Sequence, residues 1–552
     1  MKAQEVLEDA VGRRVSCDGE RGTVRYVGPV PPTAGLWLGV EWDDPERGKH
    51  DGSHEGVRYF TCRHPTGGSF VRPKKASFGV DYVTALKQRY EVELQEVIGE
   101  ELKISSRTVM MVGFEDVKQK QRLEKLTEIG LRRCEVSGPG PENEIRNTTP
   151  LAQSLDLSGN LLSSWEVLAA VTEQLEALRE LQLSHNRLSI SSEPSRLSPA
   201  FSCLRVLSLN SCALTWTQVL HCAPMWQHLE ELYLADNDIT ELLRYNTESH
   251  SHHHHRAEIF LRNQSCFRLS RPQRVLQTLK VLDLSNNHIV QETVLEISHL
   301  PCLEKLNLSS SGLSVIQFSD ASAGNKTALF PALKTLLLDD NNISEWCVVN
   351  ELEKLSSLLH LSCRRNPLLQ REKNPETVRQ IIIARLSRLE LLDMRKVLSD
   401  ERRGAELDYC KKFGLDWLKA GGHSDPEKNH PNTEFMSEHP RFLALLQKYG
   451  APDEGELKEQ KPFALKNQLL TLTFVCPEDS ERKPIEKKLP GSMIVQKVKG
   501  LLHRLLKLPG MELKLSYTCS KMAGREIEID NDLKPLEFYS VEDGDRILVR
   551  WS

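Results

Sequence analysis

The residues of this chain whose types and spacing could do chemistry are Gly48-Lys49-His50-Asp51-Gly52-Ser53, followed by Val57-Arg58-Tyr59-Phe60 and Gly67-Gly68-Ser69-Phe70-Val71. That chemistry is recognition. Lys49 can supply a cation, Gly48 and Gly52 permit close approach to main-chain donors, and Trp37 and Phe70 can wall an apolar slot. From residue 56 to 80 there are five basic side chains, Arg58, Arg63, Arg72, Lys74 and Lys75, and no acidic one. Such a patch steers an acidic peptide. A single charge pair is worth ~1 kcal/mol at 4 Å in water and ~4 at an effective dielectric of 20. One part-exposed lysine therefore cannot hold a partner tightly, and a second surface must add affinity. A Walker-type phosphate loop would need Gly at 43 and Ser or Thr at 50, where Asp43 and His50 stand. No H-E-x-x-H, nucleophile elbow or dinucleotide fingerprint occurs, so no catalytic residue, metal site or cofactor is assigned and the chain is read as a non-enzyme.

The elements that must position these residues are legible from composition and period. Residues 12–79 hold 12 of the 31 glycines, between short β-branched or aromatic runs at 23–27, 36–42, 57–61 and 69–72. Short strands between glycine turns predict a small all-β domain over residues 8–80. A charged, helical pattern at 81–114 predicts a helical connector. The template L-x-x-L-x-L-x-x-N/C-x-L then recurs with its Asn/Cys position at Cys134, Asn160, Asn186, Cys212, Asn237, Asn287, Ser311, Asn341 and Asn366. This is the period of a leucine-rich repeat, and it predicts an α/β solenoid over 115–405, closed by a C-terminal cap. Leucines two apart share one strand face, and the Asn amide can satisfy backbone groups where the chain turns off the strand.

The one gap of 50 residues contains a histidine-rich tract at 250–255 and is read as an unstructured insertion at about 241–271, with a hidden degenerate repeat as the alternative. Residues 406–465, rich in Lys, Glu, His, Pro and Gly, read as a helical or partly flexible linker. The segment 466–552 has strand, strand, helix, strand order, with Ser492 as a helix cap, and resembles the α+β ubiquitin-like (β-grasp) fold. It ends Arg550-Trp551-Ser552 without Gly-Gly, which suits an interaction domain and not a conjugated tag. The fold class is thus multidomain.

Composition removes other classes. With 72 basic against 77 acidic residues the net charge is -5, unlike a protein that binds nucleic acid through its bulk field. No apolar run approaches the ~20 residues of a membrane span, and the N-terminus has no signal-peptide stretch. The 13 cysteines are scattered with no C-x-x-C pair, which predicts reduced thiols of an intracellular protein.

The hexapeptide with its flanks resembles the CAP-Gly domain, whose hallmark is G-K-N-D-G with a following Y-F. That resemblance implies a twisted β domain with a groove for acidic C-termini ending in an aromatic residue, the α-tubulin tail above all. It carries the peptide-binding role onto Trp37, Gly48, Lys49, His50, Asp51, Gly52 and Phe70. His50 departs from the usual Asn, which changes the donor and acceptor geometry at that point. CAP-Gly, leucine-rich repeats and a ubiquitin-like domain in that order resemble the tubulin-folding cofactor E family. The resemblance implies a cytoplasmic, cytoskeleton-associated chaperone that binds α-tubulin. It would work with cofactors B, C and D and β-tubulin to assemble or dissociate the heterodimer. Its ubiquitin-like end would recruit a cofactor, the proteasome or a ubiquitin receptor. Two rival expectations are a CAP-Gly microtubule scaffold and a ubiquitin-pathway adaptor for tubulin turnover.

Overall fold

The structure, a computed structural model, describes residues 9–90, 123–239, 275–458, 469–518 and 524–552. They fall into two units, Met1–Ala451 and Pro452–Ser552. The first unit opens with an antiparallel sheet in the order β1 (Arg14–Cys17), β2 (Glu20–Pro29), β3 (Leu36–Trp42), β6 (Gly68–Val71). A small hairpin of β4 (Ser53–His54) and β5 (Val57–Arg58) lies between β3 and β6. One face of the sheet buries Val15, Val24, Leu38, Val40, Trp42 and Val71. Because side chains alternate along a strand, the other face is left for a site.

The chain then couples itself to the solenoid. Val80–Asp81 pairs in parallel with Val136–Gly138, and Gly79, at φ +82°, turns the chain where an added Cβ would overlap the Glu135 carbonyl oxygen. Tyr82, Val83, Ala85 and Leu86 of the following helix are buried in the solenoid's own core. The described part of the expected 81–114 connector, which ends at residue 90, is therefore a cap on the first repeat and not a spacer. Residues 91–114 lie outside the described residues.

Eleven short strands form the solenoid sheet among the described residues, parallel from Glu128–Gly130 to Leu391–Leu392 and closed by the antiparallel Arg395–Lys396. Leu155, Leu181, Leu207, Leu232, Leu282, Leu306, Leu336 and Leu361 stand in register along it and are buried. The asparagine ladder works as the template predicts. Asn160 donates from Nδ2 to the Leu131 carbonyl (2.9 Å) and accepts the Val136 N–H at Oδ1 (2.8 Å), while Asn186 accepts the Asn160 N–H (3.0 Å). Cys212 and Ser311 substitute with weaker bonds to Leu183 (3.4 Å) and Ser309 (3.3 Å) carbonyls. Glu231–Tyr233 pairs directly with Val281–Asp283, so the long gap adds no strand to the sheet. The insertion at about 241–271 itself lies outside the described residues.

The expected linker at 406–465 needs correction over its first 46 residues, 406–451. Helix Ser399–Lys412 packs on the helix Pro375–Arg385, Gly414–Lys419 and Phe442–Tyr449 pack on Ser399–Lys412, and Thr433–Glu438 packs on Trp346–Glu353. They form a second core from Ile381, Ala384, Tyr409, Cys410, Trp417, Phe435, Phe442 and Leu445. Glu406 is fully buried and receives hydrogen bonds from Lys448 (2.8 Å) and Tyr449 (2.7 Å), with Arg402 and Arg441 beside it at 3.4 Å. Burial opposes ionisation, but these donors and cations win and hold the carboxyl below its ordinary value.

The second unit is a five-stranded sheet crossed by the helix Val495–Leu506. Its first and last strands, Leu469–Val475 and Arg546–Trp551, run parallel, which is β-grasp topology. Ser492 does not cap the helix. Ile494 occupies the N-cap position, and the free N–H groups of Val495 and Gln496 donate instead to the Lys534 (2.9 Å) and Asp532 (2.8 Å) carbonyls.

Glu406→Ala leaves the neighbouring arginines without their buried counter-charge. The expected cost is about 3 kcal/mol, the range for breaking a buried pair, read as a lowered urea midpoint of the first unit. In the wild type the contribution persists above the ordinary carboxylate range and is lost as pH falls through the depressed value.

Candidate peptide-binding groove

The open face of the first sheet carries a ring of aromatic side chains around Phe70. Its ring centroid lies 4.9 Å from His50, 5.5 Å from Tyr59, 5.6 Å from Phe60 and 6.5 Å from Tyr26. The space exists because Gly39 faces Phe70 across β3 and β6 and contributes no side chain. Phe60 fills that gap from below, since a Cβ on Gly39 would meet its ring.

The loop 48–52 is pinned along the edge of this cluster. Lys49 and His50 donate backbone N–H groups to the Gly68 carbonyl (2.7 and 3.2 Å), and Gly68 donates back to His50 (2.7 Å). Gly48 passes so near residues 66–68 that any side chain would overlap the Thr66 carbonyl oxygen. Gly52 sits at φ +97° against the Phe60 carbonyl, where only glycine fits without strain. Asp51 is committed to its own loop and the adjacent hairpin. It accepts the Ser53 N–H (3.0 Å) and pairs with Arg58 (2.8 Å), and the Ser53 bonds hold its carboxyl below the ordinary value. Lys49 is exposed and its ammonium has no partner among the described residues, so its charge is available to a ligand.

Where the CAP-Gly hallmark has Asn, His50 offers an acceptor to its own loop. Its Nδ1 accepts the Gly52 N–H at 3.1 Å, so the neutral ring must carry its proton on Nε2. Burial, against the pull of Asp51, keeps the imidazole below its ordinary value of 6.5. The His54 ring, 6.2 Å from Phe70, and Lys49 both oppose its protonation.

Of the residues expected at the site, Gly48, Lys49, His50, Gly52 and Phe70 come together, and Asp51 braces the loop. Trp37 lies on the same strand face but outside the ring of aromatics. The Arg72 guanidinium covers it at 3.7 Å, and its indole N–H is committed to Thr33 (2.8 Å). Tyr26 and Tyr59, neither given a binding role from the sequence, complete the wall, with their own rings 5.3 Å apart. The quoted Tyr59-Phe60 pair signalled the second of these. Nothing local signalled the first, which reaches the cluster through a β-bulge after Val24.

Among the described residues there is no group of three or more His, Cys, Asp or Glu able to hold a metal, and no helix long and apolar enough to cross a membrane. His50→Asn preserves the acceptor for Gly52 but cannot titrate. The Gly52 amide-proton resonance of the wild type is expected to move with pH about a midpoint below 6.5, and to lose that midpoint in the variant, as read by NMR on glycine-labelled protein.

Comparison with known proteins agrees over the full length. The CAP-Gly domain family matches residues 11–76, a leucine-rich repeat family 274–420, and a ubiquitin-like domain family 470–550. Tubulin-specific chaperone E of Danio rerio is 78% identical over 547 residues, covering 99% of this chain and 100% of that protein. The Homo sapiens protein of the same name is 50% identical, covering 98% and 99%. Among solved structures, the ubiquitin-like domain of mouse tubulin-specific chaperone E is 67% identical over 15% of this chain and 88% of that one, with a TM-score of 0.15. A Bik1 CAP-Gly domain with an ETF peptide from Bim1 is 31% identical over 14% of this chain and 99% of that one, with a TM-score of 0.13. Near-complete coverage at these identities means that the chain belongs to the tubulin-specific chaperone E family.

Proposed function

We propose that this tubulin-folding chaperone holds α-tubulin at two places, the acidic C-terminal tail in the CAP-Gly groove and the folded body on the concave sheet of the solenoid. The observation that carries the reading is the unpartnered Lys49 ammonium beside a glycine-pinned, aromatic-walled groove. A terminal carboxylate and its acidic neighbours meet Lys49, while the last aromatic ring lies against Phe70, Tyr59 and Tyr26. Neither contact is strong alone. Mounted on one scaffold, the second becomes intramolecular and the two combine.

No covalent step is needed. The chaperone works by binding one assembly state of tubulin better than another, which shifts the balance between free α-tubulin and the α/β heterodimer. The ubiquitin-like unit is the docking element for a further cofactor of the pathway, B, C or D, and the whole acts in the cytoplasm, where tubulin is assembled.

Lys49→Ala is expected to weaken binding of a peptide ending Glu-Glu-Tyr by about three- to tenfold, the scale of one part-exposed ion pair of ~1 kcal/mol. Isothermal titration reads this directly, and equal affinities would refute the groove. For whole tubulin, removing the terminal aromatic residue of the α-chain should lower wild-type affinity, and unchanged affinity would count against the groove. Deleting residues 1–90 is not a clean test of the two-point hold, because it strips Tyr82 and Leu86 from the solenoid core.

A further inference from the structure

The sheet face that carries the groove continues past it. Gly39 and Glu41 alternate on that face of β3, Thr23 stands opposite Glu41 on β2, and Arg21 stands opposite Asp43. Followed away from Phe70, this face runs into the solenoid at Gly159, where any side chain would collide with the Arg21 guanidinium and crowd the Arg133 side chain. Two open clefts flank the junction. One, of about 480 Å³, is lined in part by Arg25, Arg63 and Arg187, and the other, of about 580 Å³, by Arg21 and Arg133.

Carboxylates line both clefts, but around His185 the charged groups are guanidinium. Among the described residues no carboxylate pairs with Arg21, Arg132, Arg133 or Arg187. Arg187 gives one N–H to the Ser211 carbonyl (2.7 Å), and Arg21 Nη1 is buried with no acceptor at all. The imidazole of His185 registers the excess: burial and then these four guanidinium groups hold it below its ordinary value. Two of the carboxylates bordering the clefts are ion-paired, and three more accept only neutral donors and keep their charge. Glu41 pairs with Arg25 (2.9 Å), Asp43 with Arg14, Asp236 accepts from Ser211 (2.9 Å) and Glu135 from Ser77 (3.0 Å), while Asp44 caps its own turn. Among the described residues Glu20, Asp44, Glu135, Asp236 and Asp238 have no cation paired to them and mark the sides an acidic chain would avoid.

We propose that Arg21, Arg132, Arg133 and Arg187 form a second anchoring site, shared between the CAP-Gly domain and the solenoid, for the acidic residues that precede a C-terminus held in the groove. The proposal rests on the groove reading above and extends it to the ligand's upstream segment. An extended peptide advances about 3.3 Å per residue, so alternate carboxylates can follow the sheet face from Phe70 toward the junction. Guanidinium groups pair with carboxylates bidentately, which suits them to hold such a chain in register.

The test uses the full chain and two synthetic peptides with the same acidic, aromatic-ended terminus, one short and one extended upstream by about eight glutamates, a reach of roughly 26 Å. The long peptide is expected to bind the wild type at least about threefold more tightly than the short one at low salt. The double variant Arg132→Gln, Arg133→Gln should lose that advantage and keep its affinity for the short peptide. Arg187→Gln, made separately, should do the same and guards against a folding defect in either variant. Equal wild-type affinities for the two peptides, or an advantage that survives both variants, overturns the proposal. Failure of the short peptide to bind the wild type overturns the groove reading instead. Displacement of the long peptide by an oligonucleotide of equal charge at equal concentration shows a general polyanion surface and overturns the assignment to peptide.

Discussion

The two-strand pairing of Val80–Asp81 with Val136–Gly138 is the constraint on which the rest of this molecule depends. A CAP-Gly domain on a free tether could offer its groove in any direction. Here the chain leaves that domain directly into the solenoid's first repeat, and the next helical turns bury Tyr82 and Leu86 among its leucines. The open face of the first sheet and the repeat surface thus belong to one body. The loss of linker entropy is already met by folding, so it is not charged again when the client binds.

On the proposed reading an acidic protein holds an acidic partner. A net charge of -5 describes the chain and not any one surface. The lysine at the groove is uncovered, whereas the carboxylates nearest the open sheet face are tied to Arg25, Arg14 or Arg58. Segregation on the scale of a Debye length, about 8–10 Å, is enough for local attraction to outweigh distant repulsion.

Much of the fold was legible because it repeats. Each leucine-rich unit has the same residue types at the same offsets, so the ladder of Asn160, Asn186 and Asn237 followed from spacing alone. The groove's glycines were legible for a related reason, since Gly48 and Gly52 occupy positions that reject a side chain. What escaped were features set by distant partners. Trp417, Phe435 and Phe442 are spread among polar residues with no period, so composition hid a second core. Trp37 has the type of a slot wall, but nothing in the sequence signals the Arg72 guanidinium that stacks on it, just past the neighbouring strand. Ser492 had the right type for a cap, yet a loop some 40 residues later supplies the carbonyls that the helix start needs.

The two ends of the long sheet carry one more consequence. At the first strand the Gly130 N–H is taken up by the Tyr90 hydroxyl (3.4 Å), and at the last the chain folds back on itself as the two-residue, charged Arg395–Lys396. Bare backbone at either terminus of so regular a stack would template the addition of another copy, ladder upon ladder, into a fibre. One margin is thus partly occupied and the other short and charged, both features that disfavour pairing with a second copy.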